Sequence, residues 1–286
     1  MTDWPVTFRC NNNCISCILN TEVSVNKEDP PLRQVKDLID AIESGSDYLG
    51  LSGGEPTLRK ELFEILEYVK KRNPDLYVFL VSNGRMFSYR QFTEKLAKVR
   101  PKNFMVGIAL YGHNPELHDS VTRAKGGFEQ TIRGVKNLLD AGVRVEIRVV
   151  VNRLNYKHLE AIARFVMKEL PSIDRMVFVN MKMTGNAFKN RGKVSVRISD
   201  VVPFAQKAVV ALEKSGIETR LYHFPLCVIP RDLWPFAEGI TKHDIGELVF
   251  TGVCNLCSIK DRCCKIWATY LVVFGGDEFK AIKQIT

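Results

Sequence analysis

Residues 143–180 read VRVEIRVVVNRLNYKHLEAIARFVMKELPSIDRMVFVN. The stretch opens on Val143–Val151, a β-branched run, and closes on Arg175–Asn180, a second short apolar run. Between them His158–Leu170 carries a helical pattern. Strand, helix and strand of these lengths make a unit whose two strands lie parallel, with the helix packed across one face.

The same unit recurs in both directions along the chain. Trp4–Phe8, Asp47–Ser52, Tyr77–Ser82 and Phe104–Leu110 are further strand-like runs. Val35, Leu38, Ile39 and Ile42 follow helical spacing, as do Leu62, Ile65, Leu66 and Val69, and helices are expected at Tyr89–Val99, Phe128–Leu139 and Val202–Lys214. Six βα units and a seventh strand near Glu218–His223 predict an α/β fold, an open, partial (β/α)6 TIM-type barrel. The repeat stops near Phe224. Three prolines (Pro225, Pro230, Pro235) and a cysteine-rich stretch follow, so the chain divides into a barrel over 1–224 and a small Cys-rich C-terminal subdomain over 225–286.

In a parallel βα barrel the chemistry gathers in the loops at the C-terminal ends of the strands. Six such loops here hold glycine or polar clusters: Cys10–Cys17, Gly53-Gly54-Glu55-Pro56, Ser82-Asn83-Gly84, Tyr111-Gly112-His113, Arg148 with Asn152, and Met183-Thr184-Gly185. The first has three cysteines spaced C-x3-C-x2-C: Cys10, Cys14 and Cys17. Three close thiolates can hold three irons of a [4Fe-4S] cluster and leave the fourth open. The alternatives are a zinc site, which is usually built from separated ligand pairs, and unrelated core cysteines.

The cysteine spacing and the GGEP segment together resemble the radical SAM superfamily, and the stretch LYGHNPELHDSVTRAKGGFEQTIRGVKNLL resembles its SPASM/twitch branch. The resemblance implies that S-adenosyl-L-methionine binds the open iron and is cleaved by one electron to a 5′-deoxyadenosyl radical. It implies that Gly53, Gly54, Glu55 and Pro56 bind the methionyl ammonium. It places Ser82, Asn83 and Tyr111 near the ribose and Met183 at the cofactor, and it makes Arg148 a partner for the methionyl carboxylate, against the plain reading of a strand arginine. It further implies an electron donor such as ferredoxin or flavodoxin. Ser16 departs from the pattern, because the family carries a large apolar residue there that packs on adenine.

Five cysteines remain: Cys227, Cys254, Cys257, Cys263 and Cys264. Cys254, Cys257 and Cys263 resemble the C-x2-C-x5-C core of a SPASM domain, but Trp267 stands where a further cysteine belongs. Five thiols can fully ligate one cluster, not two, which predicts a second, auxiliary [4Fe-4S] cluster on Cys227, Cys254, Cys257 and Cys263, with Cys264 competing for one place. A four-cysteine zinc site fits the same spacing, and His223 and His243 are near enough in sequence to serve as ligands.

The chain has 286 residues, 45% of them hydrophobic, and a formal net charge of +9. The basic residues are interleaved with acidic ones, as in KELFEILEYVKKRN (60–73), which marks solvated helix faces and gives no strong nucleic-acid signal. No apolar run is long enough to span a membrane, and MTDWPVTFRC lacks the features of a signal peptide. A cytoplasmic, metal-binding oxidoreductase is the expectation. The substrate expected from the resemblance is a peptide or protein. The alternatives are a small molecule such as a nucleoside or pterin and, in a different class, a zinc-stabilised RNA-binding protein.

Overall fold

The computed structural model describes residues 2–24, 26–42, 48–238 and 247–283. In chain order the elements are β1 (Thr2–Thr7), α1 (Thr21–Ser24), α2 (Leu32–Asp40), β2 (Tyr48–Gly53), α3 (Leu62–Arg72), β3 (Tyr77–Ser82), α4 (Arg90–Val99), β4 (Phe104–Ala109), α5 (Pro115–Thr122), α6 (Gly127–Asp140), β5 (Arg144–Val151), α7 (Leu159–Glu169), β6 (Arg175–Asn180), α8 (Gly185–Lys189), α9 (Arg191–Val194), α10 (Ile198–Glu213), β7 (Glu218–Tyr222), β8 (Leu248–Val249), β9 (Ile266–Trp267) and α11 (Ala268–Phe274). Strands β1 to β7 form one sheet in sequence order, and every neighbouring pair is parallel. This is the expected open partial barrel. Asp47, the expected first residue of the second strand, and His243 lie outside the described residues.

Alternation along the strands separates two faces. Val78, Leu80, Val106, Ile108, Val145, Ile147 and Val149 are fully buried and meet the helix layer. There α3 contributes Leu62, Ile65, Leu66 and Val69, and α7 contributes Leu159, Ile162, Ala163 and Val166. The other face lines the barrel lumen and holds Phe79, Gly107, Glu146, Arg148, Arg175 and Tyr222 by register. Charged residues in a barrel interior are unusual, since such interiors are ordinarily filled by branched apolar side chains.

The short helices α1, α8 and α9 were not anticipated, and two larger departures stand beside them. Helix α5 was not anticipated, although Asn114 caps it by accepting from Leu117 N–H at 2.9 Å and Pro115 occupies its first turn. The tail is more regular than a run of loops. It carries the antiparallel pair β8–β9 and the helix α11, and it is stitched to the barrel. Tyr270 Oη accepts from Ile198 N–H at 2.9 Å, Arg197 pairs with Asp277 at 2.9 Å, and Trp267 Nε1 donates to the Asn180 carbonyl at 3.4 Å. Phe224, Leu233, Ile266, Trp267, Tyr270 and Phe279 belong to the same continuous apolar core as the sheet.

Candidate active site at the barrel mouth

The cysteine loop leaves β1 and is held by main-chain bonds from its neighbours. Gly54 N–H donates to the Thr7 carbonyl and Glu55 N–H to the Arg9 carbonyl, both at 2.7 Å, so the β1–β2 pairing runs into the loop. Glycine is required at both positions. A Cβ on Gly53, whose φ is +126°, would lie 2.2 Å from the Thr7 oxygen, and one on Gly54 would lie 2.3 Å from the Arg9 oxygen. On the far side Asn13 and Ile15 N–H donate to the Thr122 and Val121 carbonyls at 3.1 and 2.9 Å. These are open carbonyls at the C-terminal end of α5, which a helix cannot satisfy itself. The cysteine loop is therefore the cap of α5.

Three side chains that sequence reasoning missed complete the cradle. Arg85 donates to the Asn11 carbonyl and, at 2.8 Å, to Asn12 Oδ1. Asn186 Nδ2 donates to the Cys14 carbonyl at 3.1 Å, and Asn190 Nδ2 to the Ile15 carbonyl at 3.2 Å. The sequence offered one signal for them. Arg85 and Asn186 stand directly after the glycines of two of the mouth loops.

Glu55 is 1% exposed. Its Oε1 accepts from Thr57 N–H (3.1 Å), the Thr57 hydroxyl (2.5 Å) and the Ser82 hydroxyl (2.8 Å), and its Oε2 from Asn83 N–H (2.6 Å). It also caps the short 3-10 turn Pro56–Leu58. Burial pushes its carboxyl up from the ordinary value, against four hydrogen bonds that pull it down. Ser82 is thereby committed to Glu55, while Asn83 reaches Asn11 Oδ1 through Nδ2 at 2.6 Å. Tyr111 is buried beneath the loop, its phenol beside Ser16 and the three thiols. Ser16, 3% exposed, thus faces inward to Tyr111. Met183 is buried with its sulfur accepting from the Ser195 hydroxyl at 3.1 Å, and next to it Thr184 and Gly185 close on Ile18 and Leu19.

The structure therefore brings Gly53, Gly54, Glu55, Pro56, Ser82, Asn83 and Tyr111 to the cysteine loop. It sets Arg148 apart. That guanidinium turns back down the barrel to Glu146 and lies between the rings of Phe79 and Tyr222, each 5.5 Å away.

The donor set suits an iron–sulfur cluster. Cys10, Cys14 and Cys17 are free thiols. Two sulfurs accept main-chain N–H groups: Cys10 from Asn12 and Cys17 from Leu19, both at 3.4 Å. Burial pushes the Cys10 thiol up to about 11 and Cys14 further, with mutual repulsion adding to it. Three thiolates here would need a cationic centre among them.

In the tail the Cys227 thiol lies near Cys254 and Cys263, and Cys257 follows Cys254 in one turn, with its N–H on the Cys254 carbonyl at 3.1 Å. Cys264 is 2% exposed. Hydrogen bonding from Cys264 and from main-chain N–H groups pulls Cys263 down to about 6, against burial. Both Cys263 and Cys264 lie near Cys227, Cys264 the more deeply buried.

A family model described as the Radical SAM superfamily matches residues 4–166. Fe-coproporphyrin III synthase of Methanosarcina barkeri is 30% identical over 187 residues, which cover 65% of this chain and 45% of that protein. Mycofactocin maturase MftC of Mycolicibacterium smegmatis is 34% identical over 166 residues, 56% of this chain and 40% of that protein. The crystal structure of Streptococcus suis SuiB bound to precursor peptide SuiA superposes with a TM-score of 0.61 at 17% identity, covering 76% of this chain and 47% of that one. The chain thus spans about half the length of these relatives.

Proposed function

This chain belongs to the radical SAM superfamily, and from that premise we propose that it is an enzyme that cleaves S-adenosyl-L-methionine reductively and abstracts a hydrogen atom from a peptide or protein. The observation that carries the reading is the convergence of Cys10, Cys14 and Cys17 on one loop, pinned at the C-terminal mouth of a parallel barrel. Those three cysteines would hold a [4Fe-4S] cluster, which with bound S-adenosyl-L-methionine supplies a 5′-deoxyadenosyl radical. The chain's own residues hold and shield. The Gly53–Gly54 backbone gives close approach for the methionyl group, and the Glu55–Ser82–Asn83 cluster fixes the edge of the pocket. Tyr111 supports the loop from below. Cys227, Cys254, Cys257 and Cys263 would hold an auxiliary [4Fe-4S] cluster in a tail subdomain beginning near residue 225. The tail contacts Asn180 and Lys182 at the mouth, where it helps to exclude water.

Peptide modification is supported by the maturase MftC among the relatives. A small-molecule substrate is the second reading, favoured by the match to Fe-coproporphyrin III synthase. An electron donor of the ferredoxin or flavodoxin kind would serve either. No helix among the described residues is long and apolar enough to cross a membrane, and we place the protein in the cytoplasm.

The test is anaerobic. Replacing Cys10, Cys14 and Cys17 with Ala should remove about four irons of about eight and abolish 5′-deoxyadenosine formation. Cleavage surviving in the triple variant would overturn the reading. Stoichiometric zinc in place of iron would favour the RNA-binding alternative.

A further inference from the structure

The barrel lumen holds a constellation that the cofactor site does not use. Glu146, fully buried on β5, is shared by two guanidinia: Arg148 through Nη1, and Arg175 through Nε at 2.6 Å. Arg175 has a further, looser partner in Glu218 at 3.8 Å. Arg220 and Glu238 extend the network through Glu218, so the charges balance, and Arg148 stands at its end with one carboxylate partner. Among the described residues Glu146 is the one ion-pair partner of Arg148, so the Nε–H and Nη2 donors remain for something else. The guanidinium is also fixed in orientation, stacked between Phe79 and Tyr222.

A second observation points to the same place. His223, directly after β7, is 8% exposed, and its buried Nδ1 has no hydrogen-bond partner. Buried polar atoms in native proteins are nearly always satisfied. Its backbone is in the left-handed region at φ +62°, a conformation that costs a non-glycine residue energy and gathers at functional sites. The ring is held against Trp267 at 4.4 Å between centroids, and its charged neighbours are Arg148 and Lys182. Lys182 itself pairs with Glu247. The open edge of Arg148, on β5, and the orphaned nitrogen of His223, after β7, therefore lie near one another in the lumen.

We propose that Arg148 and His223 form a receptor for a carboxylate of the substrate, which anchors the substrate in the lumen beneath the cofactor. Arg148 supplies the planar charged fork and His223 one further donor from Nδ1. A peptide C-terminus or acidic side chain and a carboxylated small molecule share this chemistry. The inference rests on the proposed function only for calling the guest a substrate.

The experiment uses the full chain labelled with 15N at arginine and histidine, followed by NMR. N-acetylglycine is the probe, and N-acetylglycinamide is its uncharged twin. N-acetylglycine should shift the Arg148 Nε–H and the His223 ring signals saturably, with Kd on the order of millimolar. The amide should shift neither. Arg148→Gln should weaken binding about tenfold or more, as loss of a charge-assisted pair does, and His223→Gln should weaken it independently. If Arg148→Gln does not fold, the amide twin and His223→Gln carry the test. Absence of a saturable shift would overturn the proposal, as would equal binding by both variants. So would S-adenosyl-L-methionine alone reproducing the shift and excluding the probe, since the carboxylate would then be the cofactor's. The binding is read without iron or turnover, so failure of the radical chemistry would leave this result standing.

Discussion

Glu55→Gln separates two roles for the carboxylate of the GGEP segment. If Glu55 served only to meet a ligand ammonium, glutamine would keep the shape and leave the ligand-free protein unchanged, which is what the sequence alone suggests. The structure gives a different expectation. Both carboxylate oxygens accept, Oε1 from three donors and Oε2 from Asn83 N–H. A glutamine can turn its oxygen to one set only. With the oxygen toward Thr57 and Ser82, its NH2 faces the Asn83 N–H, donor against donor. One hydrogen bond to a charged acceptor is lost, about 1.5–3 kcal/mol, and a half-buried N–H is left without a partner, about 1–3 kcal/mol more. The sum, roughly 2.5–6 kcal/mol, is a large part of the roughly 5–15 kcal/mol that holds a domain together. Urea unfolding of the iron-free, cofactor-free protein should show this loss as a lower midpoint at unchanged slope. A variant within about 0.5 kcal/mol of the parent would refute the argument that Glu55 clamps the β2 loop to the β3 loop.

Gly185→Ala should loosen the cysteine loop from a distance. Its φ is +54°, and a Cβ there would lie 2.3 Å from the Leu19 carbonyl carbon and 2.4 Å from the Ile18 oxygen, so iron retained after desalting should fall by about half or more, while Gly192→Ala, which meets open space, should not change it. His118 is buried with its pKa pushed down to about 4 by loss of solvent, and its Nδ1 accepts from Tyr111 N–H at 3.3 Å. A depressed folded value contributes stability that is present above the unfolded pKa of about 6.5 and is lost as pH falls toward 4, so unfolding at pH 5 should show about 2 kcal/mol less from this group than at pH 7; an equal pH slope in His118→Gln would remove it as the cause. Cys254→Ala with Cys257→Ala should lower iron by about one cluster's worth, four atoms, and harm turnover of the true substrate more than uncoupled cofactor cleavage. Full-occupancy zinc in the anaerobic protein would refute the tail assignment.

The barrel was legible because parallel strands are buried on both faces and read as short apolar runs, and their edges in the structure fall within a residue or two of those runs. Helix α5 was missed because its eight residues hold too few apolar positions for periodicity, although Asn114-Pro115 announced its start. The tail's β8 and β9 were missed because two-residue strands carry no pattern, and α11 because its seven residues, nearly all apolar, show no stripe. At the site, the cysteines and glycines are chemically distinctive and could be found one at a time. The destinations of Glu55 and Arg148 could not, because each depends on partners far along the chain, Asn83 in one case and Tyr222 in the other. One local signal was available. Glu146 and Arg148 stand two apart on a strand and so share a face, which favours the pair over an arginine reaching the mouth.

The loop that carries the three cysteines has no regular structure of its own, and its main-chain groups are met from outside it. Its N–H groups at Asn13 and Ile15 end on α5, and its carbonyls at Asn11, Cys14 and Ile15 end on Arg85, Asn186 and Asn190. These partners come from the loops after β3, β4 and β6, so the path is set by the closure of the barrel. The same ties explain why polar residues that touch no sulfur are needed at the mouth: each satisfies a main-chain group that a structureless loop would otherwise leave open.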